Sequence, residues 1–108
     1  MRIEFDKTGY IVGRSDEENW KIISEAYKDY YWVHADGVPS AHIIIEIDDP
    51  LDEEIQYACK LCKAHSKKIK NSSAKFVVTQ VKNLKFGSKP GEVIFKDNSK
   101  VKQITLNI

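Results

Sequence analysis

The chain has 108 residues, 42% hydrophobic and 31% charged, with a formal net charge of +1. That length suits one compact core and not two, so a single domain over 1–108 is expected. No stretch approaches the ~18–20 consecutive apolar residues of a membrane span, the start lacks a secretory apolar core, and two cysteines are too few for a disulfide framework. The expectation is a cytoplasmic protein with no membrane contact.

The near-neutral sum conceals an asymmetric chain. Residues 1–54 carry 5 Lys or Arg and 14 Asp or Glu, a balance of −9, whereas residues 55–108 carry 12 Lys and 2 acids, a balance of +10. Such a split points to a polyanion partner if folding segregates the charges, and to pairing of the halves if it does not.

In chain order, Arg2 to Phe5 and Tyr10 to Val12 read as two short strands joined by a hairpin through Thr8-Gly9. Gly13 releases the second strand. Ser15 is a suitable N-cap, Asp16, Glu17 and Glu18 favour a helix N-terminus, and Glu18 completes the spacing of a capping box. Trp20, Ile23, Ala26 and Tyr27 follow at helical spacing, which predicts a helix over about 16–28 with these residues on its core face. Tyr30 to Ala35 and Ala41 to Ile47 are aromatic and β-branched, and residues 36–40 between them form a turn segment, so two antiparallel strands are expected.

Pro50 ends the second of these strands. Asp52, Glu53 and Glu54 open a second helix over about 52–69, with Ile55, Ala58, Cys59, Cys62 and Ile69 on one face and lysines at its C-terminal end. A turn at Asn71-Ser72-Ser73 leads to three strand-like runs: Lys75 to Val81, Val93 to Phe95 and Val101 to Leu106. Strands and helices do not alternate regularly. The order predicts an α+β fold with a mostly antiparallel or mixed sheet of about six to seven strands and two helices.

Cys59-Lys60-Leu61-Cys62 has C-x-x-C spacing. A redox pair would sit at a helix N-terminus, and this one is expected in mid-helix. A zinc site would call for a second ligand pair, and neither another Cys pair nor H-x-x-x-H follows. A third reading is two small residues packed in the core.

The segment from Tyr31 to His42 is the most unusual. If residues 36–40 are a five-residue loop, cross-strand partners have numbers summing to 76, so His34 faces His42 and Trp32 faces Ile44. Two imidazoles, Asp36 and Ser40 then gather at one hairpin mouth. Their role could be structural hydrogen bonding, contact with a polyanion, or catalysis or metal binding by His34, Asp36 and His42. Lys60, Lys63 and Lys67 share a helical stripe continued by Lys68 and Lys70. A second cluster comprises Lys82, Lys85, Lys89, Lys96, Lys100 and Lys102. Lysine with little arginine suits point contacts to phosphate more than bidentate reading of bases, although such a stripe also serves as a plain solvated face.

Trp32-Val33-His34-Ala35-Asp36 with Pro39-Ser40-Ala41-His42, then Ala58 to Ser66, then Lys89-Pro90-Gly91-Glu92-Val93, resemble the NFACT-R domain, the RNA-binding domain of the NFACT family. Gly13-Arg14 resembles the Gly-Arg that precedes the first helix in that family, and the likeness spans about 13–106. It implies a module of ribosome-associated quality-control factors, which bind the large ribosomal subunit carrying a trapped peptidyl-tRNA, or a stand-alone unit like that of eukaryotic proteins with lysine-rich coiled tails. Small residues stand in the family where Cys59 and Cys62 fall, which favours their structural reading.

The leading expectation is a non-enzymatic RNA-binding module without cofactor or metal, contacting tRNA or rRNA and through it the large ribosomal subunit, with DNA as a further polyanion. Its candidate contacts are Arg14, His34, Asp36, Ser40, His42, Lys63, Ser66, Lys67 and Lys89. Lysines would neutralise phosphates, the hairpin would hydrogen-bond backbone or ribose, and Asp36 would orient a histidine or cap the loop. The alternatives are an adaptor docking on proteins through Asp16, Glu17, Glu18 and the acids of 48–54, and a metal-dependent hydrolase using His34 and His42.

Overall fold

The computed structural model describes residues 1–69 and 73–107. Lys70 and the Asn71-Ser72 part of the expected turn lie outside the described residues. Strands β1 (Arg2–Phe5) and β2 (Thr8–Gly13) precede helix α1 (Asp16–Glu25). Strands β3 (Tyr31–Ala35) and β4 (His42–Ile45) follow, then helix α2 (Asp52–Ala64), β5 (Ser73–Gln80), β6 (Leu84–Phe86), β7 (Val93–Phe95) and β8 (Lys102–Asn107).

Six strands form one sheet in the order β1-β2-β4-β3-β5-β8, and β6 pairs with β7 in a separate two-stranded sheet. Every pairing is antiparallel. The fold is therefore α+β, as the element order predicts, with β6 as a strand that the sequence reading does not anticipate.

Two cores lie on opposite faces of the large sheet. Ile55, Ala58, Cys59, Leu61 and Cys62 of α2 pack with Tyr10, Val12, Val33, Ile43, Ile45, Phe76, Val78 and Leu106 on one face. Ile22 and Ile23 of α1 pack with Trp32, Ile44, Val81 and Leu84 on the other, with Val93 and Phe95 of β7 against them. Coverage of both faces explains the run Ile43-Ile44-Ile45: all three are fully buried, because the central strand has no solvent side.

Three local expectations change. The first hairpin turns at Asp6-Lys7, both with positive φ (50° and 70°), and Phe5 pairs with Thr8. This is the backbone twist favoured in two-residue hairpins, and it leaves Gly9 inside β2. There the glycine makes room for the Arg2–Glu46 ion pair at 2.7 Å, whose atoms a Cβ would overlap.

The first helix ends at Glu25, not at residue 28. Ala26 is already extended and its N–H closes on Ile23 O. The next residues serve the link to β3: Val81 N–H donates to Tyr30 O at 2.8 Å and Lys82 N–H to Lys28 O at 2.9 Å. Tyr27 is consequently 71% exposed, its ring tilted against that of Tyr30 at 5.0 Å, off the core face.

The second helix stops at Ala64, five residues before the expected end. Leu51 at its start carries no side-chain oxygen, but Glu54 Oε1 accepts from Leu51 N–H at 2.8 Å, half of a capping box. At the other end Ser66 turns its hydroxyl back to Cys62 O and accepts the Ala41 N–H at 2.8 Å. That tie to Ala41, just before β4, outweighs continuation into the polar Lys67-Lys68 pair.

Candidate nucleic-acid interface

The β3–β4 hairpin adopts the register expected from its loop length, with Trp32 opposite Ile44 and Val33 opposite Ile43. Strand alternation places Trp32 and His34 on the same face, and their rings stack at 5.5 Å with 7° between planes. His34 and His42 meet edge to face at 4.6 Å. The hairpin mouth is thus a cluster of three rings.

Each ring nitrogen contact fixes a tautomer. Trp32 Nε1–H donates to His42 Nδ1 at 3.0 Å, so that nitrogen is unprotonated and the proton of the neutral ring is on Nε2. Burial, with His34 alongside, pushes the His42 pKa down to about 3. His34 Nδ1 donates to Ala35 O at 2.5 Å, leaving Nε2 without a hydrogen-bond partner among the described residues. Burial also lowers the His34 pKa, opposed by the Ala35 carbonyl and the Asp36 charge. Both imidazoles are therefore neutral at pH 7.

His34, Asp36 and His42 line a groove of about 380 Å³, floored by Trp32, Val77 and Phe95 and closed by the turn at Gly91. Asp36 accepts from Gln103 Nε2 at 2.6 Å, tying the loop to β8. Arg14 follows Gly13, which pairs with His42, so its backbone is beside the histidines. Arg14 N–H is held by Glu18 Oε1 at 2.9 Å, and the residue is exposed.

Lys89 belongs to the β6–β7 turn, where Glu92 N–H donates to Lys89 O at 3.0 Å. Glu92 Oε1 caps Ser88 N–H at 2.9 Å and Trp20 Nε1–H donates to Glu92 O at 2.9 Å, fastening this turn to α1.

Ser40 and Ser66 are placed differently. Ser40 Oγ accepts from Ala35 N–H and donates to Ala41 O, both at 3.0 Å. The Ser66 hydroxyl is committed to Ala41 N–H and Cys62 O. The Cys62 thiol points at Ala41 O at 3.2 Å and Ser40 Oγ at 3.4 Å. Both hydroxyls therefore brace the loop against α2.

Cys59 and Cys62 are both fully buried. Burial pushes the Cys59 thiol up to about 12 and raises that of Cys62 despite its contacts with the Ser40 and Ser66 hydroxyls. Such thiols are poor nucleophiles, in keeping with core packing. Among the described residues, no group of three or more His, Cys, Asp or Glu is arranged to hold a metal ion.

The basic candidates approach the hairpin from two sides. Lys63 and Lys67 lie at the end of α2, on one face of the large sheet, and Lys67 is exposed. Arg14 and Lys89 lie with α1 and the small sheet on the other. Their chain neighbours meet the hairpin: Ser66 accepts from Ala41 N–H, Gly13 pairs with His42, and Gly91 lines the groove.

The sequence reading missed the apolar floor, Val77, Val93 and Phe95, which comes from strands remote in sequence. It also singled out none of Lys82, Lys96 and Lys100 individually, which share a second cavity with Asn83. Their signal was spacing around two short turns, legible only with the pairing of β6 and β7.

The family model described as the NFACT protein RNA binding domain matches residues 3–97. A curated relative, the Rqc2 homolog RqcH of Bacillus subtilis (strain 168), is 27% identical over 88 residues, covering 79% of this chain. The chain spans 15% of that relative's length. Among solved structures, the C-terminal part of the fibronectin/fibrinogen-binding protein from Streptococcus suis superposes with a TM-score of 0.86 at 27% identity, over 98% of this chain and 43% of that one. With a family match over nearly the whole length and the hairpin, Gly13-Arg14 and Lys89-Pro90-Gly91 motifs in one neighbourhood, the chain belongs to the NFACT RNA-binding domain family.

Proposed function

We propose that this chain is a non-enzymatic RNA-binding module of ribosome-associated quality control, holding tRNA or rRNA by shape and backbone at the mouth of the β3–β4 hairpin. The observation that carries the reading is the pre-formed groove at His34 and His42, whose lining includes Gly91 of the Lys89-Pro90-Gly91 turn and whose His42 pairs with Gly13, the residue before Arg14. Lysines and Arg14 neutralise phosphates, while His34 Nε2, neutral and unpaired, accepts from a ribose hydroxyl. Asp36, Ser40, His42 and Ser66 position the loop. The large ribosomal subunit is the assembly in which such a module would act, in the cytoplasm; the family's name supports an RNA partner, and the likeness to the Rqc2 homolog RqcH supports a quality-control role.

Binding of labelled RNA as a function of salt tests the proposal. Affinity should fall steeply, with a log–log slope of about −0.7 for each single-stranded phosphate neutralised. A slope near zero would refute phosphate contact. Replacing Lys67 and Lys89 should weaken all RNA sequences alike, and competitor DNA of the same length shows whether ribose is read.

A second reading, docking on a protein, is favoured by one observation at the other end of α2. Phe5, 53% exposed, stacks on Tyr57 at 4.4 Å beside Asp6, Glu53 and Glu54. Ribosome association that survives nuclease would favour that surface.

A further inference from the structure

The aromatic surface at the start of α2 encloses a small cavity of about 160 Å³. Tyr57 is the middle of its wall: the ring stacks on Phe5 at 4.4 Å with 10° between planes, and it meets Tyr10 at 4.8 Å, tilted by 60°. Tyr10 is buried, whereas Phe5 and Leu51, which also line the cavity, are 53% and 61% exposed. The volume falls below the ~300–1,000 Å³ of small-molecule sites and is on the scale of one inserted side chain.

Three carboxylates share this lining and come from two elements: Asp6 from the β1–β2 turn, Glu53 and Glu54 from the first turn of α2. Glu54 is fixed in place, accepting from Leu51 N–H at 2.8 Å and from the Thr8 hydroxyl. Among the described residues, the carboxylates of Asp6 and Glu53 have neither a hydrogen bond nor an ion pair. Arg2 is taken by Glu4 and Glu46. Lys7, the neighbour of Asp6, is exposed, lies outside the lining and forms no ion pair among the described residues.

The charge of these acids is felt inside the cavity. Burial raises the Tyr10 hydroxyl to about 12, and Glu54, Asp6 and Glu53 push it in the same direction. The helix dipole accounts for the acids of α2. It does not account for Asp6, which belongs to another element, or for Phe5 and Leu51 left in solvent beside it. Aromatic faces, an apolar rim and negative charge together suit a cation on an apolar stem. Of the two basic side chains, arginine is the more weakly hydrated, and its planar guanidinium both stacks on rings and forks onto carboxylates.

We propose that this cavity receives an arginine side chain from a basic segment of a partner protein, an assignment that rests on the protein-docking reading above and names the group the surface takes. The stem lies against Leu51 and Phe5, and the guanidinium sits on the aromatic wall beside Asp6 and Glu53. The cavity is at the start of α2, ~20 Å along the helix from the end that Ser66 ties to Ala41. A protein held here leaves the His34 groove free.

The test is an NMR titration of the isotope-labelled chain with the peptide acetyl-Gly-Arg-Gly-amide, and with its citrulline counterpart, which is neutral and nearly isosteric. The arginine peptide should give saturable shifts at the Phe5, Tyr10 and Tyr57 rings, with a dissociation constant on the order of millimolar for one anchored side chain. Citrulline in place of arginine, or D6N/E53Q with an otherwise wild-type spectrum, should weaken binding about fivefold or more. Phe5→Leu, which keeps an apolar residue but removes the ring, should weaken it about two- to fivefold. Equal binding of the citrulline peptide, or no effect of either variant, would overturn the arginine pocket. Equal shifts at Asp16, Glu17 and Glu18 of α1 would also overturn it, because the effect would then be diffuse charge. Ribosome association that survives nuclease and D6N/E53Q alike, with no saturable peptide shift, would overturn the pocket and leave the docking reading standing. Saturable arginine binding without such association would support the pocket and refute docking on the ribosome.

Discussion

The indole N–H of Trp32 and Nδ1 of His42 are bonded at 3.0 Å inside the protein, and each ring depends on the other. Trp32 is 1% exposed and His42 3%. Trp32→Phe removes the donor and leaves a buried acceptor unsatisfied, at a cost of ~1–3 kcal/mol, with a further loss for the smaller ring. The expected destabilisation is about 2–4 kcal/mol by chemical denaturation, with His34 losing its stacking partner and RNA affinity falling. A variant as stable as wild type would show that the bond contributes nothing.

Acid stability should report the same pair. The folded His42 pKa of about 3 lies below the ~6.5 of an unfolded histidine. Between those values the unfolded chain binds more protons, so the contribution is complete above ~6.5 and is lost as pH falls toward 3. At ~1.4 kcal/mol per pKa unit the loss amounts to a few kcal/mol. His42→Asn, whose Oδ1 can take the place of Nδ1, should flatten the pH dependence between 6.5 and 4 relative to wild type. Parallel curves for the two proteins would contradict the assignment.

The cysteines should be silent toward thiol reagents. With the Cys59 thiol near 12 and that of Cys62 also raised, both within the core, neither should react at pH 8 until the chain unfolds. Reaction with a disulfide reagent at rates seen for a free thiol would reopen the redox reading. Cys62→Ala should cost about 1 kcal/mol through the lost contacts to Ser40 and Ala41.

Gly91 is a backbone constraint at the interface. Its φ is +84°, and a Cβ there would come within 3.0 Å of the Asp16 backbone. Gly91→Ala should destabilise by about 1–2 kcal/mol and shift the Lys89 turn away from Arg14. The expected signature is a lowered thermal midpoint together with weaker RNA binding. Loss of binding without loss of stability would point to a role for the glycine in direct contact.

Sequence carried the β3–β4 register because a five-residue loop between two patterned strands leaves one pairing that buries Trp32, Val33 and the isoleucines. It carried the start of α1 because Ser15 and Glu18 are local signals: Ser15 Oγ accepts from Glu18 N–H, and Glu18 reaches back to Arg14 N–H. Helix ends were harder, being set by distant partners: Tyr30 O is taken by Val81, and Ser66 by Ala41. Tyr27 fitted the helical period but fell beyond the last turn.

The candidate site divides in the same way. His34, Asp36 and His42 were legible as a cluster because they share a hairpin. Nothing local distinguishes the committed hydroxyls of Ser40 and Ser66 from free ones, and nothing local shows that Lys63 and Lys89 stand on opposite faces of a sheet.

Helix α2 has a consequence for how an encounter begins. Its acidic first turn sits by the β1–β2 hairpin, where Thr8 bonds Glu54, and its last turn and exit carry Lys63, Lys67 and Lys68 beside the β3–β4 loop. Over ~20 Å, the length of thirteen helical residues, the sign of the charge reverses. In the field of a polyanion such a body experiences a torque before any contact forms, and it turns its lysine end forward. Neutralising Asp52 and Glu53, far from the groove, should therefore alter the rate of arrival while leaving the rate of departure unchanged.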